Sequence, residues 1–253
     1  MESVETLADL WWLKIRGLMF MLLMLFMLSI TALIGLIAQL FTLGRARRFC
    51  LNYLSPMSSQ ILLWLVGIRV QFHGFEDLPE SSIVIGNHSS TLDLLIVTML
   101  PVPNKRSFMK RRFRIFLPLA IIGLTNGIIF TPPQSYPKLR VKCFKRAERI
   151  LRESGDSCFL SVEGTRWTTS KVGPFNKGAF HLATALGYPI LPVYIDIPRE
   201  INPGVGFKTR PGVINVYARP IIDTSQWKVD DAALHKEETR EIYLKYPEGW
   251  KSV

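Results

Sequence analysis

Hydrophobic residues are concentrated in one long run near the start of the chain. Leu18–Leu43 contains 26 residues without a charge, most of them Leu, Met, Phe and Ile. Because about 20 apolar residues are enough to cross the hydrocarbon core of a bilayer, this run predicts a hydrophobic helical membrane segment. It exceeds the apolar region of roughly 7–15 residues in a cleaved signal peptide, so we interpret it as a retained anchor. Basic residues flank the run: Lys14, Arg16, Arg45, Arg47 and Arg48.

The topology of this anchor is open at the level of sequence. Gly35 could bend the run into a hairpin confined to one leaflet, whereas a straight helix would span the bilayer. The flanking charges favour a cytoplasmic C-terminal side. A second apolar stretch, Ile61–Val70, is too short to span and contains Arg69, so we expect it to lie at the surface or to pack on the domain that follows.

Beyond about residue 70, short apolar runs alternate with amphipathic stretches. The first are typical of strands and the second of helices, and their alternation predicts an α/β fold with a mixed, mainly parallel sheet flanked by helices. We therefore divide the chain into residues 1–70, the anchor with an interfacial helix, and residues 71–253, the α/β domain. The predicted strands are Ile83–Ile85, Gly127–Phe130, Cys158–Val162, Ile190–Ile195 and Val213–Tyr217, and the predicted helices are Leu94–Leu100, Leu139–Glu153 and Ala179–Leu186, with a surface helix after Asp223.

The positive charge of the chain belongs to one segment. The formal net charge is +11, but Lys105–Arg152 alone holds 13 basic residues and one acidic residue, and the rest of the chain has a net charge of −1. Basic residues interleaved with aromatic ones are compatible with nucleic-acid binding. Beside a long membrane segment, the same pattern favours anionic membrane lipids, so we expect no nucleic acid as a partner.

Neither the cysteines nor the histidines follow a metal-binding pattern. Cys50, Cys143 and Cys158 are odd in number and lack C-x-x-C spacing, which argues against a disulfide framework and favours a reducing compartment. The four histidines have no cysteine or carboxylate at ligand spacing, and we therefore expect no metal site.

A histidine and an aspartate directly after the first predicted strand are the candidate catalytic residues. His88 and Asp93 are five residues apart, which on a regular helix is a rotation of about 140°, so they can meet only across a turn that enters a helix. A carboxylate on one imidazole nitrogen would leave the other free as a general base. Three interpretations remain: a structural histidine beside a helix cap, activation of Ser89 or Ser90, or activation of a substrate hydroxyl.

Several sequence blocks, in the same order along the chain, resemble those of the glycerolipid acyltransferase superfamily, in particular the 1-acylglycerol-3-phosphate acyltransferases. Residues 87–93 (N-H-S-S-T-L-D) are similar to the first block, N-H-x4-D, and residues 163–166 (E-G-T-R) match the core of the third. Residues 175–179 (F-N-K-G-A) and 189–193 (P-I-L-P-V) resemble the blocks that follow, and 127–130 (G-I-I-F) begins like the second.

The resemblance implies transfer of a fatty acyl group from acyl-CoA or acyl-carrier protein, as co-substrate and without another cofactor, to the hydroxyl of a lysophospholipid acceptor. His88 would be the general base and Asp93 its orienting carboxylate. The catalytic domain would lie on the cytoplasmic side of a membrane, a bacterial inner membrane rather than an organelle membrane. The residues that the resemblance assigns to the substrate pocket are Lys110, Glu163, Gly164, Thr165, Arg166 and Lys177.

One block departs from the family pattern. The family commonly continues from its second block to a phosphate-holding arginine, whereas this chain reads Thr131-Pro132-Pro133 and has no arginine before Arg140. Another lysophospholipid or a lyso-aminolipid therefore stays open as the acceptor. So does a catalytically silent, membrane-anchored lipid-binding protein, although the paired His88 and Asp93 argue against it.

Overall fold

The apolar runs of the α/β region form the strands of a single sheet. The computed structural model describes residues 7–167 and 172–245. Its strands are β1 (Ile68–His73), β2 (Ile83–Gly86), β3 (Arg106–Lys110), β4 (Ile129–Thr131), β5 (Cys158–Ser161), β6 (Ile190–Asp196) and β7 (Gly212–Ala218), in the spatial order β1-β7-β6-β2-β5-β3-β4.

Most neighbouring strands run parallel. β6, β2, β5, β3 and β4 share one direction, whereas β7 is antiparallel to β6 and β1 is parallel to β7. The expectation of a mixed, mainly parallel sheet is therefore confirmed. Because β2, β3 and β5 point the same way, the loops that follow them leave from one edge of the sheet, where functional groups of such folds gather.

Helices cover both faces of the sheet. They are α1 (Leu7–Phe41), α2 (Arg47–Phe49), α3 (Ser55–Leu65), α4 (Asp93–Met99), α5 (Leu117–Asn126), α6 (Pro137–Ser154), α7 (Gly178–Leu186) and α8 (Ala232–Leu244), with a π-helical stretch at Cys50–Leu54 and 3-10 turns at Arg111–Ile115 and Val229–Asp231. Alternation along β2 sends Val84 to one face, with α1, α3 and α4, and sends Ile83 and Ile85 to the other, with α6, α7 and α8. Glycines with positive φ end α6 and α7, at Gly155 and Gly187, as the sequence predicts.

The long apolar run forms the continuous helix α1, which packs along the domain. Within the described residues, its portion Trp11–Phe41 has the length and composition needed to cross a membrane. One stripe of the helix is buried against the domain, and the opposite face exposes large apolar side chains, including Leu22, Phe26 and Leu33. The buried stripe consists of Gly17, Phe20, Met24, Thr31, Ala32 and Gly35.

The structure decides two points about the first 70 residues. Gly35 makes no hairpin, because it lies inside α1, where a Cβ would come 3.2 Å from Thr125 Oγ1 of α5. The stretch Ile61–Val70 packs on the domain, as expected: it divides between the end of α3 and the start of β1, and Leu62, Leu63 and Ile68 are buried. The division that we expect at residue 70 falls inside β1, which pairs with β7 along its whole length.

Candidate active site

The loop between β2 and α4 brings His88 and Asp93 together. His88 Nδ1 lies 2.6 Å from Asp93 Oδ2, and the same oxygen accepts the backbone N–H groups of Ser89 and Ser90, each at 2.9 Å. Asn87 fixes the start of the loop, because its side-chain amide donates to Ile195 O at 3.0 Å and accepts from Ile195 N at 2.8 Å. The pair therefore meets across a turn that enters a helix, the arrangement that its spacing requires.

The hydrogen bonds of Asp93 determine which nitrogen of His88 carries the proton. Its Oδ2 already accepts two backbone N–H groups, so it is an acceptor toward the imidazole as well. Nδ1 of His88 is then the donor of the third bond, and Nε2 carries the lone pair that a general base needs. Nε2 makes no hydrogen bond to the part of the chain that the structure describes. The His88 side chain is 31% exposed and that of Asp93 is 5% exposed, so solvent reaches the ring and not the carboxylate.

A small cavity adjoins this pair at the edge of the sheet where the parallel strands end. Its wall is formed by Asn87, His88, Ser89, Glu163, Trp167, Val172 and Tyr194.

The two serines beside His88 differ in accessibility. Ser90 is an unsuitable nucleophile, because it is buried and its hydroxyl donates to Asn202 Oδ1 at 2.7 Å while accepting from Leu92 N at 3.0 Å. Ser89 lies in the cavity wall and remains accessible.

Glu163 holds the His88 loop rather than reaching for solvent. One carboxylate oxygen accepts the backbone N–H of His88 and the other accepts that of Gly173, both at 2.7 Å. Burial raises the pKa of Glu163, and the two backbone hydrogen bonds partly oppose that rise. Both carboxylate oxygens accept backbone N–H groups, so Glu163 positions the loop that carries His88.

The residues after Glu163 lead from the buried turn to the surface. Gly164 has φ +65°, and a Cβ there would lie 2.7 Å from Asn176 Nδ2, so the turn requires glycine. Thr165 and Arg166 are exposed. The Arg166 guanidinium is held by its Nη1, which donates to Thr91 Oγ1 at 3.1 Å and to Gly204 O at 3.2 Å.

Lys110 and Arg166 belong to one positively charged cluster. Lys110 is the last residue of β3, at the same edge of the sheet as His88. Burial lowers the pKa of Lys110, and the positive charges of Arg112 and Arg166 lower it further. We call Lys110, Arg112 and Arg166 the cationic cluster. Lys177 is exposed directly before α7 and is not part of the cavity wall.

Two guanidinium groups lie beside the loop after β4, although Thr131-Pro132-Pro133 contains no arginine. Arg140 Nη1, from the first turn of α6, donates to Pro132 O at 3.1 Å. The Arg114 guanidinium lies over the ring of Phe130, 5.6 Å from its centroid. Positive charge therefore surrounds this loop from neighbouring elements.

Sequence reasoning missed two residues of the site. Asn202 is buried and its Oδ1 also accepts Gly204 N at 2.9 Å, which joins the Ser90 turn to the Gly204 loop that holds Arg166. Tyr194 lines the cavity, and its burial together with the charges of Asp196 and Glu163 raises the pKa of its hydroxyl. Neither residue lies in a sequence block to which the resemblance assigns a role, and no local sequence pattern indicates that either belongs to the site.

Known proteins resemble this chain in sequence and fold. Residues 69–196 match the family model described as Acyltransferase. The chain belongs to the acyltransferase family. A 1-acyl-sn-glycerol-3-phosphate acyltransferase of Limnanthes alba is 29% identical over 185 residues, which cover 73% of this chain and 66% of that protein. An enzyme of the same name from Haemophilus influenzae is 32% identical over 132 residues, 51% of this chain and 54% of that protein.

The acyltransferase fold is also that of a solved structure. The 1-acyl-sn-glycerophosphate acyltransferase PlsC from Thermotoga maritima superposes with a TM-score of 0.70 at 20% identity, covering 92% of this chain and 98% of that one. The chain spans 66% of the length of the Limnanthes alba relative. The matched region, residues 69–196, contains His88, Asp93, Lys110 and the E-G-T-R turn.

Proposed function

We propose that the chain transfers a fatty acyl group from acyl-CoA or acyl-carrier protein to the free hydroxyl of 1-acylglycerol 3-phosphate, giving phosphatidic acid. The observation that carries this proposal is the bond from His88 Nδ1 to Asp93 Oδ2, 2.6 Å long, beside a cavity and within a chain of the acyltransferase family. The names of several relatives support the acceptor.

In the proposed reaction, His88 Nε2 takes the proton of the acceptor hydroxyl while the hydroxyl oxygen attacks the thioester carbonyl carbon. A C–O bond forms, and the resulting tetrahedral species then breaks its C–S bond. The leaving sulfur takes the proton from His88, which returns the imidazole to its starting state. Asp93 stabilises the imidazolium between the two proton transfers. The reaction needs no acyl-enzyme and no metal, because the acceptor itself is the nucleophile and the thioester is the activated donor.

The cationic cluster is our proposed site for the acceptor phosphate. The positive charge of Arg166 lowers the pKa of Lys110, and a phosphate dianion between the two side chains would offset that repulsion through charge-assisted hydrogen bonds. Another lysophospholipid or a lyso-aminolipid is the second candidate acceptor, favoured by Thr131-Pro132-Pro133 in place of the family arginine.

We further propose that α1 lies in one leaflet, with its exposed apolar face in the acyl chains and the α/β domain on the cytoplasmic side. A helix that packs along the domain from Gly17 to Gly35 cannot cross a bilayer alone. Those residues cover roughly 27 Å of helix, so a spanning orientation would bring the polar domain into the hydrocarbon core. The apolar face continues onto α3 and α5 through exposed Trp64 and Leu124.

The acceptor is tested by assaying the full chain in detergent with several lysolipids and both donors. We expect the parent to transfer an acyl group to 1-acylglycerol 3-phosphate. Lys110→Met removes a charge of the cationic cluster and should raise the KM for this acceptor. Lys142→Met removes an exposed charge from the outer face of α6 and should leave the KM unchanged. Lysophosphatidylcholine should be a poor acceptor for all three proteins. Preference for an acceptor without a phosphomonoester, unaffected by Lys110→Met, would replace the first candidate with the second.

A further inference from the structure

A second cavity lies at the opposite edge of the sheet from His88. It has a volume of about 390 Å³ and is lined by Leu36, Gln39, Gly44, Arg47, Arg106, Leu124, Thr125 and Gly127. Arg106 is the first residue of β3 and Lys110 the last, so roughly 13 Å of strand separates this cavity from the cationic cluster. Its volume is within the range of small-molecule sites, about 300–1,000 Å³.

The polar wall of this cavity holds more positive than negative charge. Asp156 Oδ2 accepts from Arg106 Nε at 2.8 Å and from Arg47 Nη2 at 3.2 Å, so one carboxylate serves two guanidinium groups. Arg106 Nη1 is directed to Gly127 O at 3.3 Å. Burial lowers the pKa of Arg47, and the charge of Arg106 lowers it further. One positive charge is therefore left in the wall for an anion to neutralise.

Two polar atoms in the wall are buried without a partner. Arg47 Nε, a donor, and Gln39 Oε1, an acceptor, make no hydrogen bond within the described residues. The amide nitrogen of Gln39 is used, since it donates to Thr125 O at 3.0 Å. Buried polar groups without partners cost free energy. Arg47 and Gln39 therefore keep unused hydrogen-bonding capacity, suited to a ligand with both an anionic oxygen and a hydroxyl or ammonium group.

The other walls are apolar and continue onto the surface. Leu36 is 40% exposed and Leu124 is 78% exposed. Beyond them, the end of α1 and the turn that follows expose Leu40, Phe41 and Leu43, the last two to 87% and 88%. A ligand here would meet cations at one end and an apolar surface at the other, which matches a phospholipid and not a free ion or a nucleic acid.

We propose that this cavity binds the head group of an anionic phospholipid with a polar end, such as phosphatidylglycerol. The phosphate accepts from Arg47, a head-group hydroxyl donates to Gln39 Oε1, and the acyl chains lie along Leu36 and Leu124. The site is separate from the cationic cluster, and its occupation does not depend on the proposed acyl transfer.

The test is native mass spectrometry of the full chain in detergent, titrated with phosphatidylglycerol, with phosphatidylcholine of the same acyl chains, and with inorganic phosphate. We expect a saturable phosphatidylglycerol site that Arg47→Gln weakens about tenfold or more, the loss typical of one charge-assisted hydrogen bond. Arg48→Gln, which removes an exposed charge from the same helix, should bind like the parent. Gln39→Leu leaves the ion pairs intact, and we expect it to weaken phosphatidylglycerol several-fold.

Three results would overturn the proposal. Equal weakening by Arg47→Gln and Arg48→Gln would assign the affinity to surface charge in general. Equal binding of the two lipids would remove the role of the head group. Inorganic phosphate binding that depends on Arg47, without a matching effect on phosphatidylglycerol, would make the site one for a free anion. If Arg47→Gln fails to fold, Gln39→Leu tests the head-group contact by itself, and phosphatidylglycerol binding by Gln39→Leu equal to that of the parent would overturn the proposal.

Discussion

At the scale of single residues, Asp93 Oδ2 organises the candidate active site. It receives three donors: the imidazole of His88 and two backbone N–H groups from the turn before it. The same oxygen therefore fixes the loop conformation and the imidazole tautomer. Because Glu163 holds the backbone of His88 from the other side at 2.7 Å, the ring is positioned by two separate carboxylates.

Asp93→Asn tests the orienting role. If its amide nitrogen faces His88, it can donate but not accept, so the imidazole would adopt the other tautomer and Nε2 would lose its lone pair. We expect kcat to fall by about 10²–10⁴-fold, as for other His–Asp pairs, with little change in KM. Asp196→Asn, in the strand that ends near the cavity, is the matched control. A kcat within threefold of the parent would show that Asp93 does not orient His88.

A buried lysine gives a second prediction at this scale, concerning stability. Lys105 is buried, its ammonium donates to Leu100 O at 2.9 Å, and burial lowers its pKa to about 7. Between pH 7 and about 10.4, the ordinary lysine pKa, the unfolded chain binds a proton that the folded chain does not. Raising the pH through this window therefore stabilises the fold, by up to about 1.4 kcal/mol per pH unit.

Lys105→Met removes this contribution. The melting temperature of Lys105→Met should exceed that of the parent by the largest amount at pH 7. This difference should shrink as the pH rises to 9. Lys142→Met, at an exposed position of α6, should show no such trend. A difference between Lys105→Met and the parent that is constant with pH would mean that Lys105 stays protonated in the fold.

Most of the candidate site could be predicted from the sequence, because its residues follow strands within short blocks. The His88 turn and the E-G-T-R turn are local, so their spacing describes them. Asn202 and Tyr194 join the site only through tertiary folding, since Asn202 reaches Ser90 across 112 positions of the chain. The sequence did not reveal that Glu163 binds backbone N–H groups, because a carboxylate's partners depend on how the two loops pack.

At the scale of elements, α1 packs one side against the domain core and exposes an apolar side that we propose faces the membrane. Gly17, Phe20, Met24 and Thr31 of its buried stripe follow at steps of three, four and seven residues, as the helical repeat requires. The opposite face of the helix is as apolar as the buried one. The uniform hydrophobicity of Leu18–Leu43 hides the stripe, which becomes visible only when α3 and α5 pack against it. This is why the sequence predicts the helix but leaves its topology open.

Phe26→Lys tests the membrane-facing role of α1. Phe26 is 60% exposed in the middle of the apolar face, and a lysine there would charge a surface that we expect in the acyl chains. Binding to phosphatidylglycerol vesicles in a flotation assay should fall by about tenfold or more. Leu234→Lys, at a position of α8 that is 58% exposed on another part of the molecule, should float like the parent. Equal flotation of all three would exclude this face of α1 as the membrane contact.

β3 and β1 were missed by the sequence analysis for identifiable reasons. β3 reads R-S-F-M-K, so charges at both ends mask a short strand inside a basic segment. β1 follows α3 after a turn at Gly67 with φ +77°, and its apolar residues merge with those of the helix into a single run. β3 forms a strand because it pairs with β4 and β5, and β1 because it pairs with β7. Such pairing leaves no pattern in the local sequence.

At the scale of the whole molecule, the basic segment Lys105–Arg152 is not a single surface. Lys105 and Arg106 are buried at the edge of the sheet far from His88, Lys110 and Arg112 belong to the cationic cluster, and most other members lie on the exposed side of α6. The net charge of +12 therefore divides among three places with different surroundings. Folding of the basic segment thus places some of its cations at the proposed substrate site and others at the proposed lipid site.

The proposed acyl transfer depends on His88 as the base that activates an acceptor hydroxyl. The most direct measurement is single-turnover acyl transfer to 1-acylglycerol 3-phosphate by the parent, His88→Ala, Ser89→Ala and His181→Ala, each checked for its melting temperature. His181 is the control histidine, since it is exposed on α7 and is not part of the cavity wall. We predict that His88→Ala loses about 10²–10⁴-fold in rate, that Ser89→Ala and His181→Ala stay within a few-fold of the parent, and that no protein is acylated by the donor alone. Transfer by folded His88→Ala at the parental rate, or a covalent acyl group on Ser89, would contradict the account.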